Sequence, residues 1–203
     1  MDTQKKVTGV ILAGGLARRM NNQDKGLVLF KGQPMVSYAI AAMSAVADQT
    51  LINANRNIQE YQKFGFPVVS DLTDSFDGPL AGVLTAMYFA KTGLLLVMPC
   101  DSPLVKANHL QKLLTTRAEH DADVAVAVAG VRLHPVFLAI KSDLKQSLQD
   151  YLHSGQRKME SWLEQQKIVK ADFSNEQEVF VNVNSLSELS GLEANYRYIS
   201  KHT

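Results

Sequence analysis

Gly14, Gly15, Arg18, Arg19 and Lys25 crowd into one stretch, "VILAGGLARRMNNQDKG", directly after a short apolar run. Paired glycines let a backbone approach a ligand closely and adopt conformations closed to other residues. Successive N–H groups in such a turn can form a concave anion site. Arginine adds a planar fork of donors suited to phosphate, and lysine a compact charge. The chemistry on offer is capture of a phosphate-bearing substrate. A tight turn followed by a solvated basic face uses the same residue types, and composition alone leaves both readings open. Two familiar glycine loops are excluded by spacing. No G-x-x-x-x-G-K-[ST] occurs, and Gly14-Gly15 is followed by Leu16, Ala17 and Arg18 rather than by the dinucleotide pattern G-x-G-x-x-G.

A second set of polar residues also follows apolar runs. Asp101 comes straight after "LLLVMPC". A carboxylate there could grip Mg2+, which takes one or two carboxylates and fills its shell with substrate phosphates and water. It could equally cap a helix opened by Ser102 and Pro103. Asp71 and the 53–56 stretch follow two further apolar runs. Asp71 could touch a nucleotide sugar or metal, or serve as a loop hydrogen-bonder.

These residues need a scaffold that brings loop after loop to one place. Strands are expected at Val7–Leu12, Leu27–Phe30, Thr50–Ala54, Val68–Ser70, Leu94–Met98, Asp123–Ala129, 134–140 and Lys167–Ala171. Helices are expected at Met35–Val46, Leu80–Ala90, Lys106–Arg117, Ser142–His153, Lys158–Gln165 and Ser185–Leu192. The last of these opens with a capping box, Ser185 through Glu188. Alternating strands and helices imply an α/β fold: one Rossmann-like, three-layer domain over 1–203 with a mostly parallel central sheet. Residues 193–203 read as a loose C-terminal tail. In such sheets ligands sit beyond the carboxyl ends of the strands, where strand order reverses. Every residue singled out above follows a strand.

Composition narrows the classes further. The 203 residues suit one domain with a sizeable core, and 46% hydrophobic with 20% charged residues is ordinary for a globular protein. A formal net charge of +1 offers no global field for nucleic acid or an anionic membrane, so an anion must be captured locally. Cys100 is the sole cysteine, which excludes an internal disulfide and a cysteine zinc cluster. No apolar run approaches the ~18 residues of a membrane span. The polar start "MDTQKK" does not resemble a secretory signal. A cytoplasmic protein is expected.

The ordered set Leu12, Ala13, Gly14, Gly15, Arg19, Met20 and Lys25 resembles the signature loop of nucleotidyltransferases that attach a nucleoside monophosphate to a small acceptor. Asn21 and Asn22 stand where a glycine is usual in that pattern. With "LINANR", "DGPLAG", "PCDSP", "HPVFLAI" and "FVNVNSLSEL" in this order, the chain resembles the molybdenum cofactor guanylyltransferases along almost its whole length. The resemblance implies a nucleotide-diphospho-sugar transferase-like fold, Mg2+ as cofactor, and transfer of GMP from GTP to molybdopterin with release of pyrophosphate. It implies GTP contacts at Leu12, Ala13, Gly14, Gly15, Lys25, Asn53, Asp71, Gly78, Gly82 and Asp101. Metal binding falls to Asp101, and charge stabilisation to Arg19, Lys25 and Asp101. On the pterin side it points to Asn182 and Asn184, with His134 and Arg157 as weaker candidates. A buried structural histidine and a solvated helix end are the competing readings of those last two. Other cofactor-assembly proteins and molybdoenzyme chaperones are the partners it suggests. A cytidylyltransferase on the same acceptor, a sugar-phosphate nucleotidylyltransferase and a non-catalytic GTP-binding module remain the alternatives.

Overall fold

Apolar residues in β-branched runs set the framework. The computed structural model describes residues 6–15, 24–72 and 78–199, the last five as backbone only. Val7–Leu12 forms β1, as the apolar run predicts residue for residue. A 3-10 turn at Lys25–Leu27 then precedes a two-residue ribbon, β2 (Leu29–Phe30) and β3 (Gln33–Pro34). The strand expected over Leu27–Phe30 is thus half turn and half strand. Helix α1 (Met35–Ser44) leads to β4 (Gln49–Asn53). A short helix, α2 (Ile58–Gln62), leads to β5 (Val68–Val69). Then come α3 (Pro79–Phe89), β6 (Leu94–Pro99), α4 (Ala107–Glu119), β7 (Val124–Ala129) and β8 (Arg132–Lys141). The chain closes with α5 (Lys145–His153), α6 (Met159–Leu163), β9 (Ile168–Asp172) and α7 (Leu186–Ile199).

Seven strands form the main sheet in the order β5-β4-β1-β6-β8-β7-β9. All run parallel except β8, which is antiparallel to both β6 and β7. A tight turn at Gly130-Val131 joins β7 to β8, and Gly130 takes the positive φ of 60° that the turn needs. The register of the pair shifts between Val126 and Ala127, so that Val126 faces Leu138 while Ala127 faces His134. Pro135, which has no N–H to give the ladder, sits in that irregularity.

Alternate residues of the central strands feed two apolar layers. Leu94, Leu96 and Met98 of β6 pack with α1 and α4 through Val36, Met43, Leu110 and Leu113. Leu95 and Val97 pack on the opposite face with Leu80 and Val83 of α3, Leu148 of α5 and Trp162 of α6. Helices therefore cover both faces, which is why β6 reads as an unbroken apolar run. A third, smaller cluster of Phe30, Met35, Val183 and Leu189 seats α7 on the ribbon. That helix corrects the tail expected over 193–203: it continues through Ile199. Glu193 Oε1 accepts the Lys31 N–H at 2.6 Å, which holds the extra turns in place.

After β1 the chain builds outward through β4 and β5, then returns to place β6 on the other side of β1. The strand order reverses at β1 and β6. Leu12 is level with Asn53 on one side and Pro99 on the other, and Asn53 is level with Val69. The loops carrying Ala13, Asn55, Asp71 and Asp101 all leave the sheet at this one height.

Candidate active site

The backbone ladder carries past the strand ends and fixes the floor of the crevice. Ala13 N–H donates to Asn53 O at 2.8 Å, and Cys100 N–H donates to Leu12 O at 3.0 Å. Beyond this floor the polar residues divide into two groups, one on each side of the β1 loop.

On the β4 side, Asp71 is held bidentately. Its Oδ1 accepts from Asn53 Nδ2 at 2.8 Å and its Oδ2 from Asn55 Nδ2 at 2.7 Å. Asn55 Oδ1 in turn accepts the Asp71 N–H at 2.8 Å. Asn53 is buried, so its amide is positioned by packing as well as by bonding. Gly82 of α3 lies against it: a Cβ there would stand 2.3 Å from Asn53 Oδ1 and 2.8 Å from Leu12 Cδ2. The helix can press this close to the strand ends only without a side chain. Gly78 precedes Pro79, the first helical residue, at a φ of 75°.

On the β6 side, Lys25 and Asp101 meet. Lys25 Nζ lies 2.9 Å from Asp101 Oδ2 and donates to Asn184 Oδ1 at 2.5 Å. The segment 182–184 is bound to the same loop. Val183 N–H donates to Asp101 O at 3.0 Å, and Ser102 Oγ donates to Asn182 Oδ1 at 2.7 Å. Half of the expected capping box forms, with Glu188 N–H donating to Ser185 Oγ at 3.2 Å. The Glu188 carboxylate turns instead to Asn184 N–H, at 2.6 Å, and so braces a site residue.

Asp101 is not a helix cap, because α4 begins only at Ala107 with Lys106 at its N-cap position. Its Oδ1 is buried and has no hydrogen-bond partner among the described residues. A buried carboxylate oxygen without a donor is costly. An oxygen-preferring cation would satisfy it. No group of three or more His, Cys, Asp or Glu side chains converges among the described residues. A metal bound here would draw its other ligands from substrate and water, the manner in which Mg2+ binds. The residues present therefore fit Mg2+.

Placement of the remaining sequence candidates varies. Gly14 lies beside the asparagines: a Cβ on it would come within 3.0 Å of Asn55 Nδ2. Gly15 O accepts from Arg56 Nη2 at 2.9 Å. Arg19, with Arg18 and Met20, lies outside the described residues. His134 stacks on Phe180 at 4.8 Å and contacts Phe137 edge-on, an aromatic support beneath the 181–184 segment. Burial, then the charge of Arg132, pushes its pKa below the ordinary histidine value. Arg157 Nη1 donates to Leu152 O and Gln156 O, both at 2.7 Å, and so closes the end of α5. Among the described residues, neither His134 nor Arg157 is bonded to the Lys25–Asp101–Asn184 group.

Sequence reasoning passed over Asp24 and Tyr61. Tyr61 Oη donates to Asp24 Oδ1 at 2.5 Å in a buried pocket. Burial, then the nearby Cys100 and Asp24, pushes the Tyr61 pKa well up, and Cys100 is raised likewise by burial and by Asp101. Both stay neutral near pH 7. Asp24 could have been noticed as an acidic residue beside a candidate catalytic lysine. Tyr61 had no signal, since α2 is too short to show a period.

Residues 9–170 match the family model described as the MobA-like NTP transferase domain. The chain is 44% identical over 180 residues to the molybdenum cofactor guanylyltransferase of Shewanella loihica, covering 89% of this chain and 92% of that one. To the Shewanella halifaxensis protein of the same name it is 42% identical over 197 residues, covering 94% and 98%. Among solved structures it resembles molybdopterin-guanine dinucleotide biosynthesis protein A from Archaeoglobus fulgidus, with a TM-score of 0.76 at 21% identity over 94% and 99% of the two chains. A CMP:2-keto-3-deoxy-manno-octonic acid synthetase complexed with CTP matches with a TM-score of 0.75 at 14% identity, over 95% and 99%. At those identities the structural matches show a shared fold.

Proposed function

Because this chain belongs to the molybdenum cofactor guanylyltransferase family, we propose that it transfers GMP from GTP to molybdopterin, forming the guanine dinucleotide cofactor and releasing pyrophosphate. The observation that carries this for these residues is the meeting of Lys25 and Asp101. They are 76 positions apart and come together at the mouth of the β1–β6 crevice, with one oxygen of Asp101 left without a donor among the described residues.

The acceptor is a terminal phosphate, already anionic at neutral pH, so no strong general base is required. One of its oxygens attacks the α-phosphorus of GTP. A P–O bond to the acceptor forms as the bond to pyrophosphate breaks, and pyrophosphate leaves with the electron pair. The protein supplies position and charge. The Gly14-Gly15 turn offers its backbone to the phosphates. Lys25, already oriented by Asp101 and Asn184, neutralises the charge that builds up on them. The Asn53–Asn55–Asp71 group forms a rigid polar edge for the ribose and base. Asp101 would hold Mg2+, which when bound supplies Lewis-acid stabilisation of the reacting phosphates. Asn182 and Asn184, tied to the Asp101 loop and to Lys25, would meet the acceptor phosphate.

Two measurements test this. Thermal denaturation with each of the four NTPs and Mg2+ should show the largest rise with GTP, since a ligand that binds the native state stabilises it. A larger rise with CTP or UTP would replace the donor. GTP-dependent pyrophosphate release should then require molybdopterin. Tight GTP binding without any release would make the protein a nucleotide-presenting module instead.

A further inference from the structure

We propose that Tyr61 is a positioning residue for Lys25, acting through the hydrogen bond from its hydroxyl to Asp24. The inference rests on the reading above that Lys25 acts on the nucleotide phosphates.

The residues on either side of Lys25 both touch this hydroxyl. Asp24, before it, receives the 2.5 Å bond at Oδ1. Gly26, after it, lies so close beneath the ring that a Cβ would stand 2.5 Å from Tyr61 Oη. The same Cβ would stand 3.1 Å from Cys100 Sγ, and Cys100 immediately precedes Asp101. The hydroxyl is thus wedged between the residues on either side of Lys25, and Gly26 packs in turn against the side chain that precedes Asp101. Asp24 O also accepts Leu27 N–H at 2.9 Å, which closes the 3-10 turn holding Lys25.

The bond is built for rigidity. Tyr61 is fully buried and Asp24 is only 5% exposed. A buried carboxylate keeps its charge only with strong donors. Its second contact, Asn57 Nδ2 to Oδ2, is long at 3.4 Å, which leaves the Tyr61 hydroxyl as the main donor among the described residues. Short bonds to an ionised acceptor are about twice as strong as neutral ones. A phenylalanine would fill the apolar pocket equally well, so the oxygen is explained by the bond it makes. The same short segment fastens the other end of the loop, through Arg56 and Gly15 O. Gly15 and Asp24 are therefore both tied to α2 and the turn before it. A displaced Lys25 ammonium should cost turnover more than ground-state affinity, because misplacement of about 1 Å at a reacting centre can cost 10²-fold.

The test is steady-state pyrophosphate release over a GTP series, with melting temperature measured in parallel, for Tyr61→Phe, Asp24→Ala, the double variant and Asp24→Asn. Tyr61→Phe and Asp24→Ala should each lower kcat about tenfold or more, with KM for GTP within about threefold. The double variant should be no slower than the slower single, because one bond is removed either way. Asp24→Asn keeps an acceptor oxygen for the hydroxyl and should recover most of the turnover lost in Asp24→Ala. If Tyr61→Phe fails to fold, the Ala and Asn variants at Asp24 decide. Wild-type kcat per folded enzyme in Tyr61→Phe would overturn the proposal, as would multiplying losses in the double or equal loss in Asp24→Asn and Asp24→Ala. Lys25→Ala, run alongside, separates the two levels. Unchanged turnover there would overturn the phosphate-loop reading itself, whereas slow Lys25→Ala with normal Tyr61→Phe would overturn the Tyr61 role alone.

Discussion

Gly82→Ala sets two opposing effects against each other at the nucleotide side of the site. The substitution lies inside α3, where alanine is favoured over glycine by about 1 kcal/mol. Against this, the new methyl would stand 2.3 Å from Asn53 Oδ1. Leu12 Cδ2, at 2.8 Å, is the end of a flexible side chain and can rotate away. Asn53 cannot: it is buried, and its amide is bonded to Asp71 at 2.8 Å and to Val69 O at 3.4 Å. Overpacking of this kind costs about 1–3 kcal/mol. Displacing the Asn53–Asp71 bond, which has a charged acceptor, adds about 1.5–3 kcal/mol. Sterics and the lost bond outweigh propensity, and a net destabilisation of about 3 kcal/mol is expected. For a domain of this size that lowers Tm by about 6–12 °C. Urea denaturation measures the stability, and the KM for GTP should rise as Asn53 and Asp71 lose their mutual positioning. The decisive control is the same substitution in an Asn53→Ala background, where the methyl has room and propensity should make it neutral or stabilising. Wild-type stability of Gly82→Ala, or an equal penalty in both backgrounds, would refute the contact as the cause.

Asp101→Asn should fold normally, losing no more than about 1–2 kcal/mol, because an amide oxygen still accepts from Lys25. Its turnover should fall on the order of 10²-fold, as for a lost transition-state charge stabiliser, and retained Mg2+-dependent turnover in a kinetic assay would count against metal binding there. Lys25→Ala should lower kcat and kcat/KM together, whereas a rise in KM alone would assign Lys25 to ground-state binding. His134 carries a folded-state pKa below its ordinary 6.5, so the unfolded chain binds more protons as the solution is acidified. Its contribution is fully present above pH 6.5 and is lost as pH falls from there toward the folded pKa. Urea titrations across that window should show a shallower acid loss for His134→Gln, and an unchanged slope would place the titrating group elsewhere.

Elements with long apolar runs were legible in the sequence, and so were the polar residues that follow them. Val7–Leu12 and Leu94–Met98 are short unbroken apolar runs that read as buried strands, and Lys25 and Asp101 stood out by position, whereas Asn184 came only from the family resemblance. Their meeting was not legible, because it depends on how distant loops pack. Strand direction was hidden too: "HPVFLAI" looks the same whichever way it runs, and only the turn at Gly130-Val131 reverses it. The last helix was truncated because "EANYRY" offers few apolar anchors after Leu192, although Glu193 finds a backbone partner across the ribbon. Tyr61 remained invisible because its meaning comes from a neighbour 37 positions earlier.

The bond between Lys25 and Asn184 joins residues 159 positions apart. That separation makes the site a late product of folding. The strands β1, β4 and β6 can pair before residues 182–184 dock, and Lys25 then has Asp101 but not its second acceptor. Contacts this far apart in sequence are the slowest to close. The backbone of Asn184 is in turn secured by the Glu188 carboxylate. A chain that has already formed its sheet therefore carries a half-built phosphate site until the 182–188 segment arrives.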